Sequence, residues 1–143
     1  MSRIYFHLAF PVNDLEEARR FYVDGLGCKA GRASSHSFIF ELKGHQIVAQ
    51  LTDEELKPQK GIYPRHFGLI FLDKKDREEI LERAREKSLR FYQEPKVRFP
   101  GEATEHRTFF LEDPSHNLLE FKHYNFPSAI FGEHEIHKVG DVN

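Results

Sequence analysis

Nine histidines lie in this chain of 143 residues. Imidazole is the side chain used most for metal binding and for proton transfer near neutral pH. Turns and surface positions account for most of them, including His36 and His45. Two histidines and one carboxylate differ by their setting. His7 lies in RIYFHLAFPV, where Phe6, Leu8, Phe10 and Val12 alternate with Tyr5, His7, Ala9 and Pro11. His66 opens HFGLIFL, where Phe67, Leu69 and Phe71 form the bulky set and His66 shares the other face with Gly68. Glu120 lies in NLLEFKHY, on the face of Leu118 and Lys122, opposite Leu119 and Phe121. Strand side chains alternate between faces. Both opening strands therefore pair bulk on one face with a histidine and a small residue on the other, as a strand lining a cavity requires.

A carboxylate among apolar neighbours must pair, protonate or bind a metal, because burying it alone costs several kcal/mol. Two neutral imidazoles and one carboxylate form the facial set suited to Fe(II), with positions left for substrate and oxygen, and the same ligands serve Zn, Mn or Ni. The residues alone leave alternatives open: Glu120 paired with Lys122 or Arg107, and His7 at the surface.

The elements that must position these groups are written twice. After the first strand, Asn13 or Asp14 caps a helix carrying Leu15, Ala18, Phe21 and Tyr22, which Gly25 and Gly27 end. Strands follow in CKAGR, HSFIFEL and HQIVAQL. After a polar stretch with Pro58, Gly61 and Pro64, the order repeats: the His66 strand, a charged helix over Lys74 to Lys87, and strands in LRFYQEPKV, HRTFFLE and NLLEFKHY. The predicted fold is α+β, two βαβββ modules in tandem. Module one covers about 3–52, a linker 53–64 and module two about 65–124. An irregular tail, 125–143, receives no function.

Length suits one domain, and 39% hydrophobic residues supply a core. Charge is balanced at 21 basic against 23 acidic residues, so nothing points to nucleic acid or an anionic membrane. Cys28 is the single cysteine and forms no internal disulfide, which fits a reducing, cytoplasmic setting. No apolar run has the length of a membrane span, and the start has no signal-peptide pattern.

Three segments carry a resemblance: FHLAFPVNDLEEARRFYVDGLGC, RHFGLIF and TFFLEDPSHNLLEFK. They resemble the vicinal oxygen chelate superfamily of glyoxalase I, extradiol dioxygenases, fosfomycin-resistance enzymes and bleomycin-resistance proteins. DPSHNLLEF is similar to the family's DPxGNxxEF, with His116 where glycine is usual. The resemblance spans about Arg3 to Tyr124 and implies curled mixed sheets around an open metal-binding cavity. It implies one divalent metal per chain, Fe(II) favoured and Zn, Ni or Mn as alternatives, on His7, His66 and Glu120. The fourth ligand position falls near Gln50, or on Ala49 if the register slips.

The leading expectation is an extradiol-type dioxygenase acting on a small molecule with two neighbouring oxygens. The alternatives are a glyoxalase-like lyase or isomerase and a metal-free small-molecule binder. Phe110 stands where extradiol enzymes commonly place a tyrosine. His106 is offered as an acid–base group or, the preferred alternative, as an exposed strand end, and Tyr124 or His123 as an acid–base group from the last strand. Thr108, Phe110 and Gln50 are offered as substrate contacts, and Arg98 and Arg107 either meet an anionic substrate or belong to a solvated face, the latter reading being preferred. Because relatives pair modules across subunits and open sheets leave edges to cover, a homodimer is expected.

Overall fold

In the computed structural model, which describes residues 4–133, the elements fall in the repeated order. Module one holds β1 (His7–Val12), α1 (Leu15–Arg19), β2 (Lys29–Ala33), β3 (Ser37–Leu42) and β4 (His45–Leu51). Module two holds β5 (Phe67–Ile70), α2 (Lys74–Glu86), β6 (Phe91–Arg98), β7 (His106–Glu112) and β8 (Leu118–Tyr124). Each module is one open four-stranded sheet, in the order β1-β4-β3-β2 or β5-β8-β7-β6. In both, the opening strand runs parallel to the closing one, and the pairs β3–β4 and β7–β8 are antiparallel.

The helices start where capping chemistry places them. Asp14 Oδ1 accepts from the Glu17 amide at 2.9 Å, and Asp73 Oδ1 from the Lys75 amide at 2.9 Å. Asn13 does not cap; its side chain donates to the Thr52 and Glu54 carbonyls at 3.1 and 2.7 Å and so pins the start of the linker. Beyond Arg19 the first helix widens into a π-type turn over Arg20–Gly25, where the Leu26 amide reaches back to Phe21 O at 2.9 Å.

Phe10 of β1 contacts Tyr22 and Phe40 in its own module and Phe67 across the modules, at ring distances of 5.4, 6.3 and 5.3 Å. The bulky faces of both sheets thus share one core. The DPSHN turn fastens it. Asp113 is buried and accepts from Tyr22 Oη at 2.7 Å and from the Ser115 and Asn117 amides at 2.8 Å each. Asn117 Nδ2 donates to Pro11 O at 2.9 Å, so the turn of module two holds the first strand of module one. His116 occupies this turn at φ 68, the left-handed region that favours glycine, with its Nδ1 2.6 Å from Glu112 Oε2. Among the described residues, no helix is long and apolar enough to cross a membrane.

Cys28 belongs to this core at 7% exposure, and burial pushes its thiol up to about 12. From an ordinary value of 9.0, that lowers the thiolate fraction at mildly alkaline pH about a thousandfold. Iodoacetamide is therefore expected to leave the folded protein unmodified for hours and to label it fully in denaturing guanidinium. Rapid labelling of the folded chain would show that this core opens readily.

Candidate functional site

The register of the second sheet sorts its inner face into rungs. Gly68, Glu120 and Phe110 are aligned across β5, β8 and β7, and His66 sits just ahead of β5. Lys122 and Thr108 form the next rung, and Tyr124, His106 and Arg98 the one after. All of these but Gly68 and the fully buried Thr108 line a cavity of about 290 Å³.

At one end His66 Nε2 lies 3.3 Å from Glu120 Oε1. The far atoms of both groups are anchored. His66 Nδ1 donates to Ile62 O at 2.6 Å, and Thr108 Oγ1 donates to Glu120 Oε2 at 2.6 Å. Lys122 Nζ stands 3.8 Å from Glu120 Oε1. Burial pushes the Glu120 carboxyl up, but the His66 hydrogen bond, the Lys122 charge and the Thr108 hydroxyl outweigh it and hold the group at about 2. The Glu120 hydrogen bond in turn raises His66. Phe110, fully buried, packs edge-on beneath the His66 ring at 5.1 Å and brings no hydroxyl to the site.

His106 is buried at 4% exposure rather than at a solvated strand end. Its Nδ1 donates to Thr104 O at 3.0 Å, which leaves the Nε2 lone pair available. Burial lowers its pKa, and Lys122 and Arg98 add to the effect, so the ring is neutral near pH 7. Tyr124 lies against it at 4.6 Å.

The expected residues are therefore divided. His66, Glu120, His106, Phe110 and Tyr124 line one cavity, whereas Thr108, expected as a substrate contact, is fully buried and serves instead to orient the Glu120 carboxylate. His7 is held 2.7 Å from Gln46 Oε1 on the open face of the first sheet, where it lines a different groove. Among the described residues of one chain, no three His, Cys, Asp or Glu side chains gather to hold a metal ion. Each histidine serves the outward face of its own sheet, while the two bulky faces turn toward the shared core.

Register also moves the fourth ligand position. Glu120 aligns with Gly68, two residues past His66; the corresponding partner of Ala9, two past His7, is Val48. Val48 has no ligating atom. Ala49 is fully buried, and Gln50 accepts from Ser37 Oγ at 2.8 Å outside the His66 cavity.

Two contributors were not assigned to the site from the sequence, although Arg98 was weighed there against a solvated face. Arg98, 4% exposed, lines the cavity from the end of β6. The tail, after a 3-10 turn over Pro127–Ala129, closes one side with Ala129 to Glu133. Its composition gave no periodic signal for that role. His134 and His137 lie outside the described residues.

Comparison with known proteins agrees with the folded pattern. The model of the glyoxalase/bleomycin resistance protein/dioxygenase superfamily matches residues 4–121. The chain belongs to this superfamily. A superfamily member from Alicyclobacillus acidocaldarius, described as a glyoxalase/bleomycin resistance protein/dioxygenase, is 42% identical. The match covers 90% of this chain and 96% of that one, with a TM-score of 0.86. A genomically encoded fosfomycin resistance protein from Listeria monocytogenes shares the fold at 17% identity and TM-score 0.67, covering 90% of this chain and 99% of that one. A glyoxalase/bleomycin resistance protein/dioxygenase from Nocardioides does so at 18% and 0.64, covering 87% and 85%. None of the curated proteins compared is similar to the chain.

Proposed function

We propose that this superfamily member is a metal-dependent enzyme acting on a small molecule with two neighbouring oxygens, with His106 as its proton acceptor. The observation that carries the reading is the anchored pair: His66 Nε2 and Glu120 Oε1, 3.3 Å apart, with Nδ1 tied to Ile62 and Oε2 to Thr108. Anchoring of the outer atoms is how proteins orient metal ligands, and this donor set suits a divalent cation. The third ligand in this reading is His7 of the partner subunit in a homodimer. Ile4, Tyr5 and Phe6, at 82%, 75% and 59% exposure, provide an apolar surface beside His7 for such a partner.

When bound, the metal acts as a Lewis acid that stabilises negative charge developing on a chelated substrate oxygen. The chain does the rest. Neutral His106 accepts a proton from the substrate carbon or hydroxyl at Nε2, and its Nδ1 bond to Thr104 O fixes the ring for that transfer. Phe110 and Tyr124 exclude water from two sides. This chemistry is that of a lyase or isomerase. The volume of about 290 Å³ falls at the small end of ligand pockets, ~300–1,000 Å³, and fits a small substrate better than a bulky sequestered drug.

Extradiol-type cleavage with Fe(II) is the second reading, favoured by Val48, since three protein ligands on a six-coordinate ion leave three positions. Oxygen uptake on a catechol panel by the iron-loaded protein separates the two. The metal reading itself is tested by calorimetric titration with Zn, Mn, Ni and, anaerobically, Fe(II). One ion per chain is expected, and Glu120→Gln should weaken it more than about a hundredfold. Unchanged affinity in that variant would remove Glu120 from the site.

A further inference from the structure

The helix side of the second sheet carries a cluster that the metal reading does not use. His106 lines the His66 cavity and Thr108 bonds Glu120, so Arg107 between them shares the opposite face with Phe109. On that face Arg77 of α2 lies over the Phe109 ring at 5.3 Å and is only 3% exposed. Arg77 and Arg107 line a separate cavity of about 230 Å³, walled in part by Leu81 and Pro95. Lys96 lines it too.

The two arginine charges are poorly matched by acid. Arg77 Nη1 donates to Glu78 Oε1 at 3.0 Å, whereas its buried Nε meets no acceptor among the described residues. The Glu78 side chain is 49% exposed, so water screens that pair. Among the described residues lining the cavity, Glu78 is the one carboxylate. Arg107 has Val97 and His123 beside it in the sheet, and neither is an anion. Glu105 feels the Arg107 charge, but its oxygens accept from the Gly101 amide at 2.7 Å and from Asn125 Nδ2. Burial lowers the Arg77 guanidinium from its ordinary value; Glu78 works against this, and the Arg107 charge adds to it. Arginine keeps its proton in proteins, so both charges persist. A buried donor without an acceptor, beside a second cation, is costly until an anion joins them.

We infer that this cavity is an oxyanion site, in which a phosphate group, free or esterified, is held between Arg77 and Arg107. Guanidinium groups match phosphate oxygens with paired N–H donors, and charge-assisted hydrogen bonds are stronger than neutral ones. The volume of about 230 Å³ lies below the ~300–1,000 Å³ of ligand pockets, which suits an anion or a small ester. Arg77 belongs to α2 and Arg107 to β7, so the bound group clamps helix to sheet, and binding stabilises the fold.

The test uses the full-length protein after chelation and dialysis of any metal, so its result stands apart from the metal reading. Inorganic phosphate and glycerol 2-phosphate are titrated by calorimetry at constant ionic strength, with chloride as the balancing salt. One phosphate group per chain is expected, with half-saturation below about 1 mM, and about 10 mM phosphate should raise the melting temperature by a few degrees. Arg107→Gln should weaken binding about tenfold or more and remove that rise. Binding of both ligands identifies a site open to a phosphate ester, and binding of inorganic phosphate alone a site for the free ion; each supports the inference. Half-saturation above about 1 mM for both marks an adventitious ion only and overturns it. Affinity that survives unchanged in Arg107→Gln places the ion elsewhere and also overturns it. Should Arg107→Gln fail to fold, Arg107→Lys decides, since it keeps the charge and loses the fork: weakened binding supports the inference and wild-type affinity overturns it.

Discussion

Co-expressing His7→Ala and His66→Ala chains should restore metal binding that neither variant shows alone. The expected recovery is about one quarter of the wild-type content, because random pairing puts half of the chains into heterodimers that each hold one intact site of two. The reason is in the placement. His66 and Glu120 meet at 3.3 Å within one chain, whereas His7 faces a different groove of the same chain beside Gln46. If His7 ligates from the partner, a heterodimer combines the sound His7 of one chain with the sound His66 and Glu120 of the other. Its second site lacks both histidines. A site built within one chain gives no recovery at any mixing ratio. The measurement is metal per chain by mass analysis on purified dimers, with melting curves to confirm that both variants fold. Wild-type metal content in His7→Ala alone would also reject the shared site.

Alternation and duplication made the modules legible. His7 with Ala9, and His66 with Gly68, announced two outward faces, and the structure keeps both. What alternation does not say is which sheet a face belongs to. His7 and His66 were read as convergent because their strands are equivalent, but equivalent strands open different sheets here. The β1–β4 pairing joins residues 39 apart in sequence, so the position matching Glu120 falls on Val48 by a register that the string does not display. The burial of Arg98 was hidden for a related reason. The β6–β7 register shifts twice, between Phe91 and Gln93 and between Gln93 and Lys96, so counting alternate residues along LRFYQEPKV loses the face before it reaches Arg98. His106 looked like an exposed strand end because nothing in its neighbourhood foretold the tail. Residues 129–133 pack over the cavity through an irregular path with no period to read.

The motif DPSHNLLEF shows the opposite case, where each letter has a physical task. Asp113 accepts the bonds that close the turn and the Tyr22 hydroxyl that ties in module one. Asn117 reaches Pro11 O, and Glu120 enters the cavity. The glycine usual at His116 answers the positive φ there. The sequence pattern was sound; the tasks behind it became visible only with the fold.

Gly68→Ala is expected to be among the most damaging single changes in the chain, although Gly68 itself is exposed. A small residue here was read as space for the cavity, but the tighter constraint is backbone approach. A Cβ on Gly68 would lie 1.7 Å from Glu120 O and 2.6 Å from Glu120 C. No rotamer change relieves a clash with backbone, so β5 and β8 must part where they pair. Substitutions forcing such rearrangement cost about 3–5 kcal/mol against a total stability of ~5–15 kcal/mol. The melting temperature should fall by on the order of 10 °C. Gly61→Ala is the control, because nothing lies within 4 Å of a Cβ there, and it should melt as the wild type does. The residue displaced by Gly68→Ala is Glu120, so metal affinity should fall together with stability, whereas a purely structural glycine would leave the surviving folded fraction with normal affinity. Melting curves and metal titrations of both variants read the two effects separately. A Gly68→Ala protein that melts and binds metal like wild type would show that β5 and β8 do not approach as closely as the pairing requires.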